Sequence, residues 1–222
     1  MLYFSSKGRI EEKRMPVIAL VGNKGGAGKT TLTVNLAVGL GRMGRVVILD
    51  TDPQGSSAQW RTIADDRMLP PVDSATDNLV ERVHALRQNY EYVVVDCPPS
   101  VQAPQTLATL QVSNVALIPV QPSPFDLWAS IHIENAVMQA RISNPALQAL
   151  LVINQLEPRT TLSQLMREAL AEIDVPVAAT SIQRRAVYRA SALEGRSVYG
   201  MGKRGADAVT ELDQLIQEVT RI

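Results

Sequence analysis

Between Val21 and Thr31 the chain reads VGNKGGAGKTT, a run of glycines and two lysines that ends on a pair of threonines. Gly25, Gly26 and Gly28, with Ala27 between them, let backbone N–H groups close on phosphate oxygens. The helix that GKTT opens adds the positive end of its dipole. Lys29 is placed to bridge the β- and γ-phosphates, the Thr30 hydroxyl to ligate Mg²⁺, and the Thr31 hydroxyl to reach the α-phosphate. The usual pattern, G-x-x-x-x-G-K-[ST], has a glycine where this chain has Asn23. One lysine satisfies such a loop, so Lys24 is left over. Three aspartates complete the chemistry. Asp96 closes an apolar run, where a second carboxylate holds Mg²⁺ through water. Asp50 and Asp52 flank Thr51 at the end of another run, one suited to the metal shell and the other to positioning an attacking water. Residues and spacing alone describe a Mg²⁺-dependent ATPase.

These groups must be held by strands and helices, and the two alternate along the chain. Apolar runs predict strands at PVIALVG, RVVILD, YEYVVVD, NVALIPV, ALLVINQ and, more briefly, VPVAATS. Helical spacing predicts helices over Thr30–Met43, Asn78–Asn89, about Leu127–Ile142, Thr161–Glu172, and from about Ala206 to the end. The alternation predicts an α/β fold: a single doubly wound, mostly parallel sheet with helices on both faces. In such sheets ligands lie beyond the carboxyl ends of the strands, where DTDPQGS, DCPPS, QPSP and NQLEPR all fall.

Composition agrees. Of 222 residues, 45% are hydrophobic and only 4% aromatic, which makes an aliphatic core of the kind parallel sheets use. The net charge of +0 gives no global basic footprint, so any nucleic-acid surface must be local. A single cysteine, Cys97, excludes an intramolecular disulfide framework and is too few for a cysteine metal site. Cys97, His84 and His132 read as structural. With no run of eighteen apolar residues and no signal peptide, a cytoplasmic protein is expected. Residues 1–14 read as an N-terminal extension, either a loose tail or a stretch upstream of a start at Met15. Residues 15–222 read as a single ATPase domain.

KGGAGKTT, DTDPQGS and VVVDCPPS together resemble the deviant Walker-A ATPases of the ParA and MinD family, from about Met15 to near the end of the chain. PVQPSPFDL and ATSIQRRAVYRASALEGRSVYG are similar to the short ParA type in particular. The resemblance implies a role for Lys24: it crosses an ATP-sandwich homodimer to the partner's phosphates, so that ATP binding and dimerisation become one event. It also implies that Asp52 is the hydrolytic residue, that Asp50 and Asp96 serve the Mg²⁺ shell, and that Asn154 reads the adenine. Pro122 and Pro124 are expected to line the base pocket. The same resemblance implies nonspecific binding to nucleoid DNA. Hydrolysis would be stimulated by a ParB-type or other small adaptor, and the cargo would be a plasmid or a protein body such as a carboxysome.

The local charge fits a DNA surface. From Ser181 to Gly205 six basic residues stand against Glu194 alone, a local +5. Arg184, Arg185, Arg189, Lys203 and Arg204 are the candidate phosphate contacts, with Arg184 and Arg185 foremost. Residues 206–222 are acidic, a local −3, and carry Val209, Leu212, Leu215, Ile216 and Val219 at helical spacing. An acidic amphipathic helix docks on a core better than on an anionic membrane, which disfavours a MinD-like membrane switch. A metallocluster relative would need two cysteines per chain. A ligase would need a carboxylate-substrate pocket that the residues do not display.

Overall fold

The structure, a computed structural model, describes residues 16–64, 67–157, 165, 168–170 and 172–222, with the backbone alone at 124–131. The expected extension over residues 1–14 and most of the expected helix Thr161–Glu172 lie outside the described residues.

Five of the apolar runs form the strands they predict: β1 (Val17–Leu20), β2 (Val46–Asp50), β4 (Tyr92–Asp96), β5 (Val115–Val120) and β6 (Gln148–Leu156). A short β3 (Val72–Ser74) and β7 (Ile182–Gln183) complete a seven-stranded sheet in the order β3-β2-β4-β1-β5-β6-β7, with every pairing parallel. The runs are continuously apolar because both faces are covered. Along β1, Val17 and Ala19 enter a core with Val83, Leu110 and Val137 of the helices α3 (Leu79–Arg87), α4 (Pro104–Val112) and α5 (Pro124–Ser143). Ile18 and Leu20 point the other way, into a core with Leu32 and Leu36 of α1 (Lys29–Leu40). The closing helix, named α7 below (Ala206–Arg221), packs on that second face through Leu212, Leu215, Ile216 and Val219, as its apolar stripe predicts.

Four differences from expectation have physical reasons. VPVAATS is not a strand; it touches β6 through one bridge, Leu151 to Val177, and the edge strand forms later, at Ile182. The polar stretch after Asp52 folds into α2 (Ser56–Ile63), where only Ser57 and Trp60 are buried, too few for a periodic signal. Helix α4 starts at Pro104, and α5 starts at Pro124 rather than Leu127; proline at the first helical turn lacks only an N–H that has no partner there. The basic stretch divides into α6 (Ala186–Leu193) and a 3₁₀ helix, Val198–Gly205.

Strand β1 lies at the centre, between β4 and β5, and the chain winds outward on either side of it. Register sets Asp50 beside Asp96, and Asp96 beside Leu20, at the carboxyl ends. The rim expected to carry the chemistry therefore forms one continuous edge.

Candidate functional site

The turn from β1 into α1 is shaped by Gly26 (φ 80°) and Gly28 (φ 95°), both left-handed. Gly28 caps α1 and lies so close to Asn154 that a Cβ there would overlap the Asn154 amide. Alternation of right- and left-handed residues in such a turn forms a concave nest of N–H groups suited to an anion. Ala27 is buried within it, and Gly25 is exposed. Asn23, the departure from the usual pattern, has a structural use: its Oδ1 accepts the Val101 N–H at 2.9 Å, which ties the loop to the segment after β4.

Lys29 is buried, and its Nζ donates to the Lys24 carbonyl at 3.1 Å. Burial pushes its pKa down, against the pull of the Asp96 carboxylate. A buried cation of this kind is completed by an anion in the nest. Lys24 is exposed.

Asp96 is almost wholly buried. Ser57 donates to its Oδ2 at 2.7 Å and Thr33 to its Oδ1 at 3.4 Å, and the nearby Thr30 hydroxyl favours the charged form as well. Desolvation nonetheless pushes its pKa up to about 6. A carboxylate wrapped in hydroxyls at the start of α1, with Thr30 nearby, is a donor set that fits Mg²⁺. Thr30 would ligate directly and Asp96 would act through water. Asp50 is tied to the backbone. Its Oδ1 accepts the Asp52 N–H at 3.2 Å and its Oδ2 the Ala58 N–H at 2.9 Å, so both oxygens pin the start of α2. Burial raises its pKa too. Asp50 is thus a brace for the turn that carries Asp52. Asp52 itself is half-buried and accepts the Gln54 N–H at 3.0 Å through Oδ1.

A cavity of about 480 Å³ opens beside the nest, lined by Gly28, Thr31, Asn154, Gln183, Tyr188 and Arg189 among others. Asn154 is buried and donates to the Ala27 carbonyl at 2.7 Å, so it holds the loop as well as facing the cavity. Pro122, half-buried, is not on the cavity wall, and the Pro124 side chain lies outside the described residues. The segment after β7 supplies much of the cavity wall.

That segment carries Arg184, Arg185 and Arg189, all three on the cavity lining. Arg185 is the most heavily paired of these. Its guanidinium bonds Glu211 at 2.7 Å and Asp207 at 3.0 Å, both on α7. Arg184 pairs with Glu157 at 2.7 Å, but both side chains are more than half exposed, and such surface pairs are weak. Arg204 meets Glu194 at 3.3 Å, also at the surface. Arg189 and Lys203 are exposed and, among the described residues, have no ion pair. Cys97 is buried, with its thiol pushed up to about 12, and so is inert. Among the described residues no cluster of His, Cys, Asp and Glu could hold a metal by itself, and no helix is long and apolar enough to cross a membrane.

The model of the CobQ/CobB/MinD/ParA nucleotide binding domain matches residues 18–198. The chain belongs to this family. Within the family the chain is 40% identical over 205 residues to the maintenance of carboxysome distribution protein A of Halothiobacillus neapolitanus, covering 91% of this chain and 95% of that protein. It is 30% identical to the protein of the same name from Gloeobacter kilaueensis, over 92% and 94% of the two chains. The fold matches the septum site-determining protein MinD of Pyrococcus horikoshii, solved with Mg-ADP, at a TM-score of 0.73 and 23% identity, over 92% of this chain and 97% of that one.

Sequence reasoning missed Ser57, Gln121, Gln155 and Gln183. Ser57 follows DTDPQGS by position, but nothing in its spacing marks it as the partner of Asp96. The glutamines reach the site only through the sheet order.

Proposed function

We propose that this chain, over residues 15–222, is a ParA-type ATPase that distributes carboxysomes. ATP and Mg²⁺ close two copies into a sandwich dimer, the dimer holds nonspecific duplex DNA of the nucleoid, and a small adaptor on the cargo stimulates hydrolysis to ADP and phosphate.

The loop supports this reading most directly: a nest of N–H groups with one lysine buried beside it and a second exposed. Lys29 and the N–H groups of Gly25 to Thr31 bind the phosphates. Thr30 and Asp96 hold Mg²⁺, which when bound offsets the charge that builds on the γ-phosphate. Asp52, fixed by the turn that Asp50 braces, orients the water. Asn154 and the segment after β7 receive the adenine. Lys24 serves the partner's phosphates, a cation that neither copy supplies to itself. Arg189 and Lys203 lead the DNA contacts, and the exposed Arg184 and Arg204 add to them. The carboxysome as cargo rests on the similarity to the two carboxysome distribution proteins over nearly their whole lengths.

Binding to random-sequence duplex DNA, compared with ATP·Mg²⁺ and ADP·Mg²⁺ across a salt series, tests the switch. Binding with ATP alone that weakens steeply as salt rises is the expected result. Equal binding in both states, or none, would refute it. Deleting the gene in its own organism tests the cargo: clustered carboxysomes are expected, and normal spacing alongside loss of a plasmid would reassign the cargo.

A further inference from the structure

Residues Asn154 and Gln155 are consecutive, yet both side chains reach the same loop. Asn154 Nδ2 donates to the Ala27 carbonyl at 2.7 Å and Gln155 Nε2 to the Gly26 carbonyl at 3.2 Å. In a regular strand, neighbours point to opposite faces. Two features of β6 remove that alternation. Its register against β7 shifts between Asn154, paired with Ile182, and Leu156, paired with Gln183, which leaves Gln155 as an extra residue. Gln155 also has φ 56°, one of only two non-glycine residues with positive φ among the described residues. A bulge with a left-handed residue turns a side chain that would otherwise face away. From the neighbouring strand, just beyond β5, Gln121 Nε2 donates to the same Gly26 carbonyl at 2.7 Å.

The carbonyl partners fix where the N–H groups point. In a trans peptide the C=O and the following N–H point in opposite directions, and no described peptide is cis. Holding the Gly26 carbonyl toward β5 and β6 therefore sends the Ala27 N–H the other way. Holding the Ala27 carbonyl does the same for the Gly28 N–H. We propose that Gln155 and Gln121 are positioning residues for the anion nest, and that the strained bulge at Gln155 exists to deliver a second amide to the loop. The inference rests on the nucleotide reading above and deepens it. Neither glutamine needs to touch the nucleotide.

Gly26 is exposed, so each amide alone has a modest effect and each covers for the other at the shared carbonyl. Gln155→Gly removes one amide and relieves the left-handed strain at the same position, since glycine accepts positive φ. The experiment is a titration of Gln155→Gly, Gln121→Ala and the double variant with a fluorescent ATP analogue and Mg²⁺, alongside thermal melts. The expectation is an unchanged or raised Tm for Gln155→Gly with affinity about three- to fivefold lower. The double variant should lose about thirtyfold or more, beyond the product of the singles. A double variant with wild-type affinity, or losses that simply follow a falling Tm, would overturn the inference while leaving the proposed function in place. A wild-type protein that binds no nucleotide would remove both.

Discussion

Asn154 and Gly28 stand against each other without space for one more carbon: the amide that donates to the Ala27 carbonyl occupies the place a Cβ on residue 28 would take. Gly28→Ala meets that overlap together with an unfavourable φ of 95°. The expected result is a loss of about 2–4 kcal/mol of stability and of ATP binding, read by chemical denaturation and nucleotide titration.

Lys24 is exposed, while Lys29 is buried against the loop. Lys24→Ala should leave the protein folded but abolish ATP-dependent dimerisation on a sizing column. A variant that still dimerises with ATP would end the role across the interface.

Asp52 is braced through its own N–H by Asp50 and is not part of the buried Asp96 cage. Asp52→Ala should bind ATP and remain dimeric, with phosphate release reduced by two orders of magnitude or more, about the scale of a lost water-positioning group. Normal turnover in this variant would reassign the residue.

The arginines divide into two groups. Arg185→Ala leaves the largely buried Glu211 with only the Gln183 N–H for a partner and should cost about 1–3 kcal/mol. Arg189→Ala and Lys203→Ala should leave stability within about 0.5 kcal/mol, and each should reduce the salt dependence of DNA binding by about one counterion. Melts and filter binding on the same preparations separate the two groups.

Burial raises the Asp96 pKa to about 6, above the ordinary aspartate value near 3.9. Between about pH 4 and 6 the folded protein therefore holds a proton that the unfolded chain has released. Its stability without Mg²⁺ should fall through this window as pH rises, and then level off. Ser57→Ala removes a donor to the charged form. The destabilisation should be about 1–3 kcal/mol at pH 7 and should shrink below pH 6. A cost that does not vary with pH would show that Ser57 does not hold the charged carboxylate.

Strands β1, β2, β4, β5 and β6 are legible because burial on both faces demands unbroken apolar runs. The phosphate loop is legible because N–H nests require glycine at fixed places. Helix α2 and strand β3 are not, since eight residues with two buried, or three at an edge, carry no period. The Arg185 clasp is hidden for another reason: Glu211 lies 26 residues on, and only the docking of α7 brings the two together. Likewise, an arginine-rich segment reads as a charged surface until its partners are known. The bracing role of Asp50 is hidden as well, since the Asp52 and Ala58 N–H groups that its oxygens accept meet it only where the chain turns into α2.

The bond from Val101 N–H to Asn23 binds together two segments that lie 78 residues apart, one leaving β1 and the other following β4. Neither can open to solvent by itself while that bond holds. In hydrogen–deuterium exchange the Val101 amide should report the state of a loop to which it does not belong, slowing when the nest is filled.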